Sequence, residues 1–291
     1  ADAKALEKKK LADAKALEKK KLADAKKSRC SNLVKFALLS GCDLHGMDLH
    51  GKNLSNADLS GVDFTSADIS YADLTGANLS GAHLSNTNLK STIFKDSNLS
   101  GAIFTKANLS GANLINVNLS GVDLSSVDIS YADLTGANLS GVNLSGANLD
   151  NANLSGVIIK NTSLSNVDLR GVNLSNADLS KANLFRKDLS DANLSGADLT
   201  GANLSGANLS DANFSYAKMP GVNLEKSDLT RTNFSYADLS KANIRYAYLL
   251  STTLFHTNLS GAKLSGSMLC ADLTTADITN ADYRTAVKCY G

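Results

Sequence analysis

A large apolar residue recurs at every fifth position over most of the chain. From residue 39 to residue 269 this centre position is always Leu, Ile, Phe or Met. Two residues earlier is a small position, mostly Ala, Val, Thr or Ser, and an outward position with Asp or Asn commonly lies between them, as in Ala77-Asn78-Leu79. Because side chains alternate along an extended chain, centre and small residues should point inward and Asp or Asn outward. So strict a period predicts a stacked repeat protein.

The glycines share one phase of this period. All 21 stand at residue numbers one more than a multiple of five, which we call the corner position. In Leu-Ser-Gly-Ala segments the glycine is third of four, where a type II turn requires a positive φ. Other residues occupy some corners, for example Asn56 and Asp191. Because they adopt a positive φ less readily than glycine, we expect a different turn there.

These residues resemble the pentapeptide repeat family. Runs such as ADLTGANLSGVNLSGANL at 132–149 match the family consensus closely, and the resemblance extends over residues 40–270. It implies an all-β fold, a right-handed quadrilateral parallel β-solenoid in which four pentapeptides form one coil of 20 residues. The chain supports this coil length, since DISYADLTGANLSG occurs at 68–81 and again at 128–141, a shift of three coils. About 12 coils at ~4.8 Å each would give a rod of roughly 55–60 Å.

The N-terminal residues have a different pattern. Residues 1–11 read ADAKALEKKKL and are repeated letter for letter at 12–22. Ala, Leu, Glu and Lys favour helix, so residues 1–30 are predicted to form a basic helical leader. Three interpretations stay open: a solvated spacer, an amphipathic helix whose residues 1–27 dock on a partner, another copy or an anionic membrane surface, or an artificial leader.

Both ends of the repeat region are predicted to be capped. Residues 31–39 predict a short helix, with Ser31 as its N-cap, that covers the first coil. The solenoid is predicted to span residues 40–270. After Leu269 one residue is lost from the register, so residues 271–291 are predicted to form a degenerate last coil and C-terminal cap.

Charge is divided unevenly between these parts. Residues 1–30 carry 11 Lys or Arg and 5 Asp or Glu, a net charge of +6, while the remaining residues carry 18 and 23, a net charge of −5. Neither value requires nucleic acid as a direct partner. The sequence has no run of 18 apolar residues, so no transmembrane helix is predicted, and no signal peptide is visible.

The four cysteines lie near the two ends of the solenoid. With one residue lost, Cys270 and Cys289 occupy equivalent sites on adjacent coils, where stacked Cα atoms about 4.8 Å apart fit a disulfide. Two free thiols are the alternative. Cys30 and Cys42 flank the predicted N-terminal cap and form either a second bridge or, for Cys42, a simple core contact. Bridges at both ends would indicate an oxidising compartment, such as a periplasm, the secreted space or a thylakoid lumen, rather than the cytoplasm.

The sequence offers no motif for catalysis, cofactors or metals. It has no phosphate-binding loop, no dinucleotide fingerprint and no CxxC or zinc spacing. No serine has a histidine and a carboxylate in register for a triad. His45 and His50 are five residues apart, on adjacent sides of a square coil, so they should face different directions. We therefore predict no enzyme activity, no cofactor and no metal.

Two sets of outward residues are candidate interaction surfaces. Six aspartates lie at multiples of 20 from one another and should form one acidic face, diluted by asparagines: Asp48, Asp68, Asp128, Asp168, Asp188 and Asp228. Aromatic residues with an arginine, a typical composition of interface anchors, concentrate in the last coils: Tyr216, Tyr236, Arg245, Tyr246, Tyr248, Phe255 and His256. The alternative for the first set is turn and ladder hydrogen bonding, and for the second it is ring stacking that stabilises the coils.

These observations predict a non-enzymatic rod whose flat faces bind a protein partner, with a homodimer through the C-terminal end as one form of that contact. The first alternative comes from the resemblance, since some family members resemble duplex DNA in shape and charge and bind DNA gyrase, a type II topoisomerase. The loops that interrupt the repeats in the quinolone-resistance subgroup are absent here. The second alternative is a structural spacer whose basic leader docks on a membrane or a partner.

Overall fold

The chain forms a right-handed, four-sided parallel β-solenoid in the computed structural model, which describes residues 14–21, 30, 33–34 and 37–288. Most sides pair with the next coil through a single residue at the outward position, for example Asn78 with Asn98. Longer strands occur only in the last coils of the described part. They are β1 (Tyr248–Leu250), β2 (Met268–Cys270) and β3 (Val287–Lys288), paired in parallel in the order β1-β2-β3. Residues 14–21 of the leader are helical.

The backbone N–H groups on one side of a coil all have hydrogen-bond acceptors, as residues 77–81 show. In residues 77–81, three N–H groups donate to carbonyls of neighbouring coils, one closes the corner turn, and one donates to an outward side chain. The bonds run from Ala77 to Leu74 O (2.9 Å), Asn78 to Ala57 O (3.0 Å), Leu79 to Asn98 O (2.8 Å), Ser80 to Asn78 Oδ1 (3.2 Å) and Gly81 to Ser100 O (2.9 Å). The bond from the Ser80 N–H to Asn78 Oδ1 explains why the outward position prefers Asp or Asn, because this N–H needs a short side-chain acceptor.

The interior consists of the centre and small positions. The centre residues from Leu39 to Leu269 are buried, and Phe214 stacks on Phe234 with ring centroids 5.2 Å apart. A buried leucine contributes about 1.5–3 kcal/mol, so these columns supply most of the stability. Threonines at small positions satisfy their hydroxyls inside the wall; for example, Thr87 Oγ1 donates to Phe64 O at 2.9 Å.

The corners use one turn whatever residue they hold. Gly81 has φ +66°, and its turn closes through the N–H of Ala82 and the carbonyl of Leu79 at 3.0 Å. Asn56 and Asp191 have φ of 56° and 59°, so the expectation of a different turn at these corners is wrong. The pairing of the adjoining sides with the coils above and below fixes the corner geometry. A non-glycine residue then accepts the left-handed conformation at a cost of about 1–2 kcal/mol.

Corner side chains lie over the corner of the next coil. A Cβ atom built on Gly136 would lie 2.6 Å from Asn116 Oδ1, whereas a Cβ on Gly121 would meet nothing within 4 Å. Gly136→Ala should therefore lower the free energy of unfolding by about 1 kcal/mol more than Gly121→Ala, because both have a φ near +70° and only the first must displace a neighbour. Urea denaturation of the two variants measures the difference, and equal losses would contradict this packing.

The N-terminal boundary differs from the prediction. The described residues 33–34 and 37–39 are not helical, and Leu38 already pairs with Asp58, so the predicted cap helix over 31–39 is wrong there. The reason is register: Ala37 and Leu39 are buried as small and centre residues, which turns Leu38 outward with 68% of its surface exposed. Ser31, the predicted N-cap, lies outside the described residues.

A disulfide joins Cys30 to Cys42, with Cα atoms 5.6 Å apart. This bridge is one of the two alternatives that the sequence left open for this pair of cysteines. The Cys42 side chain is also buried in the first coil, so the bridge ties residue 30 directly to the solenoid core.

The C-terminal coil contains 19 residues instead of 20. Asn258 pairs with Asp277, and Met268 pairs with Val287, which agrees with the predicted loss of one residue. Cys270 is disulfide-bonded. Its predicted partner, Cys289, lies outside the described residues, so that pairing stays a prediction. No helix among the residues described is long and apolar enough to cross a membrane.

Candidate interaction surfaces

The six predicted acidic residues lie on one side of the solenoid. Cross-coil pairing connects Asp48 through Asp68 to Asp128, and Asp188 to Asp228, with asparagines on the rungs between them. The carboxylates already take part in the wall. Three of the asparagines donate from Nδ2 to the aspartate one coil earlier: Asn88 to Asp68 (3.1 Å), Asn148 to Asp128 (3.1 Å) and Asn208 to Asp188 (3.0 Å). Ladder hydrogen bonding therefore accounts for much of the outward Asp and Asn pattern.

Asp168 interrupts this acidic ladder. It pairs with neither Asn148 nor Asp188 in the described solenoid, and its carboxylate instead binds Arg170 through Nη2 at 2.5 Å. A cavity of about 490 Å³ opens there, lined partly by Asp150 and Asp191. A sequence signal beside this irregular coil, not included in the predictions above, is Lys187 at an inward small position.

The side chain of Lys187 reaches the irregular coil. Its Nζ donates to the carbonyl of Leu164 at 2.5 Å, the acceptor that a threonine hydroxyl uses at equivalent small positions. A lysine is much longer than the alanine or valine that usually fills this position. Because the small columns pack closely, we expect the extra length to disturb the adjacent rungs.

The predicted aromatic set falls on two opposite edges of the square. Corner residues ten positions apart are half a coil apart, so Tyr236 and Tyr246 occupy diagonal corners. On the first edge, Tyr216 and Tyr236 stack with centroids 4.9 Å apart at 4°, and the ring of His256 lies 5.3 Å beyond Tyr236. Phe255 meets Tyr236 edge to face at 5.5 Å. These rings contact each other, which supports a stabilising role for this column.

The second edge carries the C-terminal apolar face, which consists of Tyr246, Tyr248, Leu250, Met268 and Val287. Each of these side chains is between 42% and 58% exposed. Tyr248, Met268 and Val287 pair in sequence across β1, β2 and β3, and Tyr248 pairs with Asp228 at the end of the acidic ladder. Met268 and Val287 are not among the predicted residues, although their spacing of 20 and 39 residues from Tyr248 is the signal that could have found them.

Arg245 and the histidines add little to these surfaces. Arg245 is exposed beside the corner of Tyr246, and its backbone N–H bonds Asn243 Oδ1 at 3.4 Å. His50 Nδ1 lies 3.0 Å from Ser70 Oγ, and its ring lies 5.3 Å from Tyr71. The described part of the chain contains no group of three His, Cys, Asp or Glu side chains that could hold a metal ion.

A sequence profile for pentapeptide repeats matches the chain in eight copies, at residues 37–75, 67–105, 107–146, 147–184, 173–211, 188–225, 207–245 and 232–269. The chain belongs to the pentapeptide repeat family. No curated protein sequence matches it.

Several solved structures resemble this pentapeptide repeat protein. One is HetL, involved in heterocyst differentiation regulation in the cyanobacterium Nostoc sp. strain PCC 7120, with 24% identity over 87% of this chain and 92% of that chain, and a TM-score of 0.38. Trypsin-treated QnrB1, a plasmid-mediated fluoroquinolone resistance protein, is 18% identical over 81% of this chain and 89% of that chain, with a TM-score of 0.23. A pentapeptide repeat protein of the Arabidopsis thaliana thylakoid lumen is 30% identical over 47% of this chain and 67% of that chain, with a TM-score of 0.14.

The aspartates of this pentapeptide repeat protein make its stability depend on pH. Hydrogen bonds from the Ser70 hydroxyl and backbone N–H hold the pKa of Asp68 below its usual value, and Arg170 lowers the pKa of Asp168 to about 2. Because these pKa values are lower in the folded state, the stability they contribute is complete above about pH 4 and is lost as the pH falls toward 2.

We therefore expect the urea midpoint to fall between pH 4 and pH 2 and to stay nearly constant between pH 5 and pH 7. In Arg170→Gln, the Asp168 carboxylate loses its ion pair, so its pKa in the folded state should rise. The part of the stability loss that comes from Asp168 should then occur at higher pH. Denaturation curves at four pH values measure both effects. A midpoint that is unchanged at pH 2 would contradict the role of these hydrogen bonds.

Proposed function

We propose that this protein is a non-catalytic rod that binds a protein partner through the C-terminal apolar face. The observation that carries the proposal is the change of residue type along one ladder. Asp or Asn fills its outward positions from Asp48 to Asp228, and then Tyr248, Met268 and Val287 follow on the last three rungs. Asp and Asn at this position accept a hydrogen bond from the backbone N–H two residues later. These three side chains do not replace that acceptor, so the change of residue type removes a stabilising hydrogen bond.

The composition of this face suits protein recognition. Tyrosine and methionine are enriched where interfaces exclude water, and Leu250 adds a further exposed aliphatic side chain at the same end of the rod. Neighbouring exposed apolar side chains are unusual on a monomer surface and typically mark a binding site. The rows of Asp and Asn on the other coils would then stabilise the solenoid wall rather than bind the partner.

Two substitutions on this face test the proposal. In the full chain, Tyr248→Ser with Met268→Ser should reduce capture of partner proteins at least tenfold. Tyr131→Ser is the matched control, because Tyr131 is also an exposed tyrosine, 68% accessible, but lies on distant coils. Sedimentation over a range of concentrations tests whether the partner is a second copy. Capture of the same proteins by both variants would overturn the assignment of this face.

A DNA-like decoy for a type II topoisomerase is the second candidate, supported by the six aspartates that share one side. It ranks lower because their charge density is low. Six carboxylates over nine coils give one charge per roughly 7 Å, against one per about 1.7 Å of duplex DNA. Arg170 also pairs with one of the six, Asp168.

Inhibition of DNA gyrase supercoiling separates the two candidates. We expect no inhibition at stoichiometric protein. Inhibition that Asp128→Asn, Asp188→Asn and Asp228→Asn together abolish would favour the decoy. If neither assay finds a partner, the spacer alternative is left, and salt-sensitive binding of the full chain to anionic vesicles tests its leader.

A further inference from the structure

The repeat places acceptor motifs for asparagine-linked glycosylation throughout the solenoid. The motif is Asn, any residue except proline, then Ser or Thr. Sixteen asparagines begin one: Asn53, Asn78, Asn98, Asn108, Asn118, Asn138, Asn143, Asn153, Asn161, Asn173, Asn193, Asn203, Asn208, Asn213, Asn233 and Asn258. All except Asn161 stand at the outward position, where the structure uses the amide itself.

The oxygen of each outward motif asparagine accepts a backbone hydrogen bond. In all fifteen, Oδ1 accepts the N–H of the serine two residues later, as Asn193 does from Ser195 at 3.2 Å. The motif serine is therefore the residue whose N–H the fold must satisfy. This explains why Asn and Ser recur together at this spacing without any role for a glycan.

The nitrogen of most of these asparagines is also engaged. Twelve of them donate from Nδ2 to the side chain one coil earlier. The longest uninterrupted run links Asn233, Asn213, Asn193, Asn173 and Asn153 to Asp133, with N–O distances between 2.8 and 3.4 Å. Each amide in this run lies one coil, about 4.8 Å, from the next.

A glycan on these nitrogens would not fit the wall. Glycosyl transfer replaces one Nδ2 hydrogen with a sugar carbon and releases the lipid diphosphate that carried the sugar. The linked sugar is wider than the rung spacing of about 4.8 Å, and the next motif often lies on the adjacent rung. A modified asparagine would therefore lose its ladder bond and separate the coils on both sides of it.

Folding comes too late to protect these asparagines from glycosyl transfer. The Nδ2 partner of an outward asparagine lies one coil earlier, but the wall around the asparagine closes only after the following coil has been made, because backbone pairing also joins residues i and i+20. Glycosyl transfer acts on extended chain during entry into the compartment, before those contacts exist. The motifs would therefore be exposed to the transferase in any cell compartment that contains it.

The cysteines add a second condition on the compartment in which the chain folds. Cys30 and Cys42 form a disulfide, and Cys270 is also disulfide-bonded. Forming each bond removes two protons and two electrons, which the thiol-oxidising proteins of an oxidising compartment accept. Reducing compartments keep such cysteines as thiols.

We infer that this chain folds in an oxidising compartment without asparagine-linked glycosylation, where its Asn-x-Ser motifs act only as structural rungs. A periplasm with that chemistry, or an organelle lumen equivalent to it, meets both conditions, whereas the eukaryotic secretory route meets only the first. This inference does not depend on the proposed function, because it rests on wall residues and disulfides rather than on the C-terminal apolar face.

Production of the full chain by three routes tests the inference. Made in a bacterial periplasm, it should be unmodified, contain no titratable thiol and show the β-sheet circular dichroism of the solenoid. Directed through the endoplasmic reticulum, it should gain several glycans, seen as a glycosidase-sensitive mass shift, and fail to fold. Made in a reducing cytoplasm, it should carry free thiols and melt several degrees lower than the periplasmic protein.

A variant without the motifs supplies the control. Replacing the sixteen motif Ser or Thr residues by Ala keeps every asparagine and every backbone N–H, so it should fold by the secretory route as well as in the periplasm. If that variant is too unstable, tunicamycin treatment of cells making the natural sequence should restore folding instead.

Three results would overturn the inference. The first is a folded, secreted natural chain, whether its motifs are empty or glycosylated. The second is an equal melting temperature for the oxidised and reduced proteins, which would remove the need for an oxidising compartment. A natural chain that stays unfolded when glycosylation is blocked, beside a folded motif-free variant, would also show that glycans are not the cause.

Discussion

Leu144→Asp should unfold the middle of the rod. Leu144 is a centre residue with no exposed surface, and its column continues through Leu124 and Leu164. The substitution removes a buried leucine and places a carboxylate where nothing can pair with it. We expect a loss of more than about 4 kcal/mol in the free energy of unfolding, measured by urea denaturation.

The location of the damage distinguishes a core defect from a charge effect. Ser140→Asp adds the same charge on the same coil but outside, so it should change the free energy of unfolding by less than about 0.5 kcal/mol. Because contacts in a solenoid run only to adjacent coils, protease cleavage of Leu144→Asp should begin near residues 124–164. Similar losses in the two variants, or cleavage confined to the ends, would contradict the inward placement of this column.

Asn193→Leu should cost about 2 kcal/mol although Asn193 is on the outside. Its Oδ1 accepts the N–H of Ser195 at 3.2 Å and Nδ2 of Asn213 at 3.4 Å, while its own Nδ2 donates to Asn173 at 3.3 Å. Leucine is similar in size but leaves these half-buried groups unsatisfied. Urea denaturation at pH 7 measures the loss.

The aspartate variant separates the two functions of the amide. Asn193→Asp keeps the acceptor for the N–H of Ser195 and for Asn213 but loses the donor to Asn173, so it should retain roughly half of the lost stability. If leucine and aspartate cost the same, the backbone acceptor would not be the reason for Asn at this position. A negligible cost for both would contradict the ladder as a source of stability.

The fold could be predicted because period and geometry coincide in this chain. A five-residue period assigns every residue to a centre, small, outward or corner position, and a 20-residue coil fixes its neighbours, so Asn78 could be placed beside Asn98. The cap helix predicted over 31–39 is wrong at the described residues 33–34 and 37–39, because the local apolar pattern there also fits a helix. The register of Ala37, Leu38 and Leu39 overrides it once the second coil pairs with them.

The surfaces were less predictable because they depend on contacts that the period does not contain. The sequence grouped Tyr236 and Tyr246 by their nearness along the chain, but a square coil separates them by its diagonal. Tyr236 adopts φ 61° at a corner because neighbouring coils fix the sides that flank it. A propensity scale describes a residue without those neighbours and does not predict this conformation. Lys187 shows the same limit, since its contact with the Leu164 carbonyl on the neighbouring coil is not part of the period.

The hydrogen bonds of each side imply how this molecule can change length. In the regular coils every backbone bond between coils joins residues 19 or 21 apart, so an insertion or deletion inside the rod is silent only in increments of a full coil. The identical segments at 68–81 and 128–141, three coils apart, fit growth by duplication of such increments. Among the described coils the 19-residue step occurs only at the last one, where few rungs follow it. The length of the rod can therefore change in steps of one coil, about 4.8 Å, without any change at either end.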